Sequence, residues 1–375
     1  MPFDPIPPPA PAEPAVHRAH RTVAFWLFGM CALVLAMVTL GGVTRLTGSG
    51  LSIMEWAPIM GALPPLSDAE WHRLFALYQR IPQYQLVNAG FGLDGFRHIF
   101  WLEWSHRLLG RVIGVAYAIP LAVFLWRGAI PRRFRARLVG LFALLSVQAA
   151  VGWFMVVSGF LTDNTSVEAW RLVLHLTLAL SLFAGMLWTA LSLLRPLRVR
   201  VWTNPARLFA LTAGSVAVTI VAGGLVAGLH AGLTYNTFPL MDGRLVPPGY
   251  GSLTPLARNL VENVAAVQFD HRLLASLTAV LTLWAVVVGF RDARRDRPRR
   301  NAAAALGLLV ACQYALGVAT LLNMVPTGLA SLHQLNAVLV LTAALVSLHW
   351  ARSNPLAVLP ASYTPVPSRS PECQT

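Results

Sequence analysis

Apolar runs separated by polar stretches fall near 23–42, 99–126, 138–160, 170–194, 207–230, 267–290, 301–323 and 327–350. Each is close to or longer than the ~20 residues that an α-helix needs to cross ~30 Å of hydrocarbon at ~1.5 Å per residue. The pattern predicts an all-α integral membrane protein with eight transmembrane helices. Two odd-numbered connections are longer than the rest. In the first, about 43–98, Ser67 and Glu70 have the spacing of a helix capping box, and Leu66 is placed to staple against Trp71. Trp71, Leu74, Phe75 and Tyr78 follow at i, i+3, i+4 and i+7. This spacing predicts an amphipathic helix, either lying along the membrane surface or packed on the bundle.

Composition supports the membrane reading. Of 375 residues, 56% are hydrophobic and 12% charged, which leaves no room for a large soluble domain. The formal charge of +14 comes from arginine alone, because the chain has no lysine. Arg127, Arg132, Arg133, Arg135 and Arg137 follow span 2, and Arg195, Arg198, Arg200 and Arg207 follow span 4. Arg291, Arg294, Arg295, Arg297, Arg299 and Arg300 follow span 6. Basic loops are retained in the cytoplasm. Both termini are therefore expected there, with the loops after spans 1, 3, 5 and 7 facing outward. The charge is a topology signal, so nucleic acid is not an expected partner. The Pro- and Ala-rich tails, 1–22 and 351–375, are expected to be disordered. Cys31 and Cys312 lie in spans and Cys373 in the second tail, so the outward loops hold no disulfide and no thiol–metal cluster.

Spans 1–4 resemble spans 5–8. Gly41-Gly42-Val43 and Gly50-Leu51-Ser52 recur as Gly223-Gly224-Leu225 and Gly232-Leu233-Thr234 at an offset of 182. His106-Arg107-Leu108-Leu109 recurs as His271-Arg272-Leu273-Leu274, and Gln148 and Gly152 as Gln313 and Gly317, at 165. His175 matches His333 at 158. Two tandem four-helix bundles related by internal duplication are expected, 23–194 and 207–350, joined by a cytoplasmic linker at 195–206.

The chain has ten histidines. His17, His20, His72, His98 and His349 fall in tails, loops or helix ends, where solvated or interfacial roles are the default. His106, His175, His271 and His333 lie on even-numbered spans, each about one and a half to two turns past the span's start. All four stand ~10 Å beneath the outer edge of the hydrocarbon. A lone polar side chain there costs several kcal/mol unless it is satisfied. Bis-histidine ligation of haem in each unit, His106 with His175 and His271 with His333, accounts for the set. The alternative is four core histidines bonded to carbonyls or to one another. Arg107 and Arg272 stand beside two of these histidines, where they either pair with haem propionates or snorkel to headgroups.

The repeats differ three residues before the span-2 histidine: Glu103 in the first, Gln268 in the second. An i, i+3 spacing puts Glu103 on the face of His106. A buried carboxylate there needs a proton, a partner or a chemical task. The acidic pocket is the candidate for chemistry and the neutral one for electron transfer. An i, i+4 ion pair with Arg107 is the structural alternative for Glu103.

Taken together, Glu-x-x-His-Arg at 103–107, His-Arg at 271–272, His175, His333 and the segment Gly41-Gly42-Val43-Thr44-Arg45-Leu46-Thr47-Gly48-Ser49-Gly50-Leu51-Ser52 resemble the haem A synthase family over roughly 23–350. Without a cysteine pair in the first outer loop, the chain looks like the proteobacterial and mitochondrial branch. The resemblance implies an oxidoreductase of the bacterial inner membrane. It would oxidise the C8 methyl group of haem O to the formyl group of haem A by successive hydroxylations and loss of water. It further implies substrate haem between His106 and His175 near the outer face, and a haem b between His271 and His333 that relays electrons. Glu103 would assist proton transfer or stabilise a cationic intermediate. The implied partners are an electron donor, haem O synthase and the assembly factors of a terminal haem–copper oxidase. Small residues in the spans permit packing between subunits of a homo-oligomer or within one chain. Two other readings of the residues stay open: a diheme b-type electron-transfer subunit, which needs the histidines but not Glu103, and a transporter.

Overall fold

A computed structural model describes residues 13–161, 164–195, 202–293 and 296–352. Eight of its helices are long and apolar enough to cross a membrane. We label them α1 (Glu13–Leu46), α3 (Leu93–Trp126), α4 (Arg132–Ser158), α5 (Ala169–Leu194), α6 (Asn204–Gly228), α7 (Val264–Asp292), α8 (Arg297–Leu322) and α9 (Thr327–Arg352); the helix Asp68–Tyr78 between the first two is α2. The all-α membrane class stands. Residues 1–12 and 353–375, Arg294, Arg295 and positions 196–201 of the linker, with Arg198 and Arg200, lie outside the described residues.

Three helix boundaries differ from the hydropathy pattern. α1 begins at Glu13, inside the stretch assigned to the first tail, and the good helix formers Arg18, Ala19 and Arg21 carry it into the apolar run. It also continues to Leu46, so Val43 to Leu46 are helical rather than the start of the outer loop. α3 begins two turns early because Phe96, Ile99 and Phe100 of those turns are buried, not in lipid but against α2.

In the first half α1 packs on α3 and α5, α3 on α4, and α4 on α5. The second half repeats this order: α6 packs on α7 and α9, α7 on α8, and α8 on α9. The halves meet through α5 with α6, α1 with α9, and α5 with α9. At this seam Arg45 Nη1 donates to the carbonyl of Ala227 at 2.8 Å. The two residues are separated by the same 182 positions as the sequence repeat.

Trp71, Leu74 and Tyr78 of α2 are buried against the early turns of α3, with Trp71 in edge contact with Phe100 at 4.9 Å. That decides between the two roles its sequence allowed: α2 packs on the bundle. Ser67 caps it by accepting from the Glu70 amide at 3.3 Å. Leu66 is 82% exposed, so the predicted staple does not form. Arg73 instead joins α2 to the preceding loop, bonding Glu55 through both carboxylate oxygens at 2.8 Å and Glu70 at 2.8 and 3.0 Å. These bonds hold the Glu55 and Glu70 carboxyls below the ordinary carboxylate range. His349 departs from its default interfacial role. It is fully buried between α5 and α9, with Ser192 Oγ at 3.3 Å and its ring against Trp188.

Candidate functional site

His106 lies on α3, His175 on α5, His271 on α7 and His333 on α9. Each imidazole faces a glycine of a neighbouring helix. A Cβ added at Gly41 would stand 3.1 Å from His106 Nε2. Added at Gly152, Gly223 or Gly317, it would stand 2.9 Å from Cε1 of His175, His271 or His333 respectively. Glycine in a helix interior costs ~1 kcal/mol relative to alanine. Its presence at all four contacts, on α1, α4, α6 and α8, shows that each partner helix leaves room for a ring. His106 and His175 stand on helices that both pack against α1, and His271 and His333 on helices that both pack against α6.

Two of the four rings each leave one nitrogen unsatisfied. Nδ1 of His175 and Nδ1 of His271 are buried without a hydrogen-bond partner among the described residues. An unmet buried polar group costs ~1–3 kcal/mol, so these atoms favour a ligand role over a purely structural one. The histidine surroundings also differ between halves. Gln148 Nε2 lies 3.3 Å from His175 Nε2 and donates to the His175 carbonyl at 2.9 Å, while its own oxygen has no partner. Gln313 Nε2 lies 3.2 Å from His333 Nδ1, and its oxygen accepts from Asn336 Nδ2 at 2.9 Å. Leu178 stands at the position matching Asn336, which leaves Gln148 without that tether.

Glu103 is buried one turn before His106 and pairs with Arg107, whose Nε donates to it at 2.7 Å. The remaining Arg107 donors reach the loop after α1: Nη1 to the Glu55 carbonyl at 2.9 Å and Nη2 to the Ile53 carbonyl at 2.7 Å. The guanidinium lies 5.6 Å from the centre of the Trp153 ring, against which Trp56 of the same loop packs at 5.1 Å. In the second half Arg272 donates to the carbonyls of Thr237 and Tyr235 at 2.8 and 2.6 Å, and Gln268 also donates to Tyr235 at 3.1 Å. Both arginines turn inward and hold the connecting loop over their own half. Arg272 Nε stays buried and without a partner among the described residues.

Arg107→Ala would leave the Glu103 carboxylate buried and unpaired and would release the loop at two points. Breaking a buried pair on one side costs roughly 3–5 kcal/mol. Denaturant unfolding in detergent should show a loss of that order, and limited proteolysis should reach the loop before the helices. Unchanged stability would mean that the pair and clamp contribute nothing to the fold.

A family model described as cytochrome oxidase assembly protein matches residues 24–345. A protein named "Heme A synthase" from Granulibacter bethesdensis is 57% identical over 339 residues, covering 89% of this chain and 88% of that protein. The chain belongs to the haem A synthase family. Family members of the same name from Nitrosomonas eutropha and Azorhizobium caulinodans are 46% and 48% identical. They cover 87% and 91% of this chain and 92% and 97% of their own length. The family match thus takes in both halves and every residue of the site.

Sequence reasoning used Gln148, Gly152, Gln313 and Gly317 only as markers of the repeat, and Asn336 and Trp153 not at all. The usable signal for the glycines was their recurrence inside apolar spans at the offsets of the histidine-bearing helices. Asn336 gave no such signal, because its counterpart is Leu178.

Proposed function

We propose that this chain is a haem A synthase that oxidises the C8 methyl group of haem O to a formyl group. Haem O is the substrate of the first half, between His106 and His175. In the second half His271 and His333 would hold a resident haem b, which would relay electrons to the first site from the electron donor. The observation that carries this division of labour is Glu103, a buried carboxylate one turn from His106 with the neutral Gln268 at the matching place.

The protein groups do four things in this reading. The paired imidazoles orient a planar ligand between facing helices, and the four glycines leave them the room. Arg107 holds Glu103 and closes the loop over the first site, which keeps water from a reactive centre. Glu103 takes the proton released at the oxidised methyl group or offsets positive charge developing there. Arg272 keeps its Nε as a donor for an acidic group such as a haem propionate. Gln148, bonded through one end of its amide, and Gln313, bonded through both, fit a site that exchanges its ligand and a site that retains it.

The arginine-rich connections assign both termini to the cytoplasm of a bacterial inner membrane and the histidines to the outward side. On this reading the electron donor, haem O synthase and oxidase assembly factors are the partners. Extraction and chromatography of the haems bound to purified protein test the proposal. Haem b together with haem O or haem A is the expected result. Haem b alone, with no haem A formed when haem O is supplied, would make the protein a diheme electron-transfer subunit instead.

A further inference from the structure

The loop between α1 and α2 contains ten successive residues without a polar side chain, Ala57–Leu66. Ile59, Met60, Leu63 and Leu66 are among the most exposed apolar residues of the chain, at 82, 76, 64 and 82%. Apolar side chains so concentrated on one exposed segment mark a contact surface. The partner is indicated by what holds the backbone of that segment. Arg111 Nε donates to the Pro58 carbonyl at 2.8 Å and Nη2 to the Ala57 carbonyl at 2.7 Å. Gly61 lies so close that an added Cβ would stand 2.8 Å from the same Nη2.

Arg111 belongs to the membrane span of α3, in which 108–125 contains no other charge. Fifteen residues separate it from Trp126 at the far end of that helix, ~22 Å at 1.5 Å per residue. Counted from Trp126, a hydrocarbon layer of ~30 Å places the Arg111 backbone ~8 Å inside the boundary on the loop side, and His106 nearer that boundary than the start of the apolar run suggested. Helical side chains lean toward the helix N-terminus, which for α3 is this same boundary. The guanidinium thus reaches the boundary and meets the loop carbonyls there. Non-helical backbone at such a depth is tolerated where its polar groups are bonded within the protein, and Arg111 supplies those bonds. Beside it, Val112, Val115 and Ala116 line an apolar groove of about 340 Å³.

We infer that the Ala57–Leu66 loop is a membrane anchor, with Ile59, Met60 and their neighbours in the acyl region of the leaflet on the loop side and lipid acyl chains as its partner. Arg111 acts as the strut that lets the loop enter. The second half has no equivalent. The position matching Arg111 is Ser276, whose hydroxyl bonds Tyr314 at 3.0 Å inside the bundle, and the loop there carries Asp242 and Arg244.

The test uses the full chain in bilayer nanodiscs of phosphatidylcholine and phosphatidylglycerol containing a phospholipid with a diazirine in its acyl chain. After irradiation and tryptic digestion, adducts in Leu46–Arg73, localised to 57–66, should exceed those in Leu245–Arg258 of the other half several-fold. Adducts no more frequent than in that control peptide, or formed only with a headgroup diazirine, would overturn the proposal and leave the patch to a protein partner. Ile59→Asp combined with Met60→Asp provides a second check, since both side chains are exposed in the fold. Acyl adducts should fall several-fold while thermal unfolding of the variant in detergent stays unchanged. Undiminished labelling would overturn the proposal.

Discussion

Replacing His271 with alanine is expected to strip haem b from the second half while the helical bundle remains intact. The His271 ring packs against Gly223 of α6, and its Nδ1 is buried with no partner among the described residues. A side chain used only for packing would leave a cavity and a stability loss of a few kcal/mol. A haem ligand would also leave its group without one of two axial bonds. Purified His271→Ala should therefore show near-complete loss of the reduced-minus-oxidised b-type absorption and a drop in haem per polypeptide, with helical content by circular dichroism retained. An unchanged spectrum would refute the ligand assignment. Gly317→Ala offers a milder companion, because the added Cβ would press within 2.9 Å of His333 Cε1 from α8. It should shift the axial-ligand spectrum without removing a nitrogen ligand.

The second large effect is expected at Glu103. Glu103→Gln should leave haem bound and the protein folded while conversion of haem O falls by ~10²–10⁴-fold, the usual range for loss of a general acid or base. The fold itself provides the control for stability. Gln268 occupies the corresponding buried place in the other half and donates to a loop carbonyl, so an amide is compatible with this environment. Arg107 would lose its ion-pair partner but keep its bonds to Ile53 and Glu55. A fall in conversion with normal haem content separates proton chemistry from ligand binding, and the Arg107→Ala variant separates it from loop closure. Wild-type turnover in Glu103→Gln would remove the carboxylate from the mechanism.

Much of the site was legible because its residues are marked by position along one helix at a time. Four histidines at one depth, and a carboxylate one turn from the first, follow from spacing and hydropathy. The Glu103–Arg107 pair was foreseeable for the same reason, since i, i+4 neighbours meet on any helix. The arginines illustrate the limit. Spacing placed Arg107 and Arg272 near the boundary but could not say that their guanidinium groups would turn to carbonyls more than thirty residues away. α2 was recognised from its periodicity, yet whether its apolar face met lipid or protein depended on Phe96 and Phe100 at the start of α3, of which hydropathy left Phe96 outside the span.

The sequence by itself determined the number of spans, the expected side of the basic loops, the matching halves and the Glu103/Gln268 difference. All of these are written in local composition and in constant offsets along the chain. Only the tertiary structure decided which glycine faces which histidine, that Asn336 bonds the oxygen of Gln313 while that of Gln148 has no partner among the described residues, and that Gln334 reaches the Val38 carbonyl across the seam. It also brought the backbone of an apolar loop against Arg111 of a membrane span. Each of these depends on side chains from distant segments meeting at a few ångströms, and close packing fixes such meetings only once all the helices are in place.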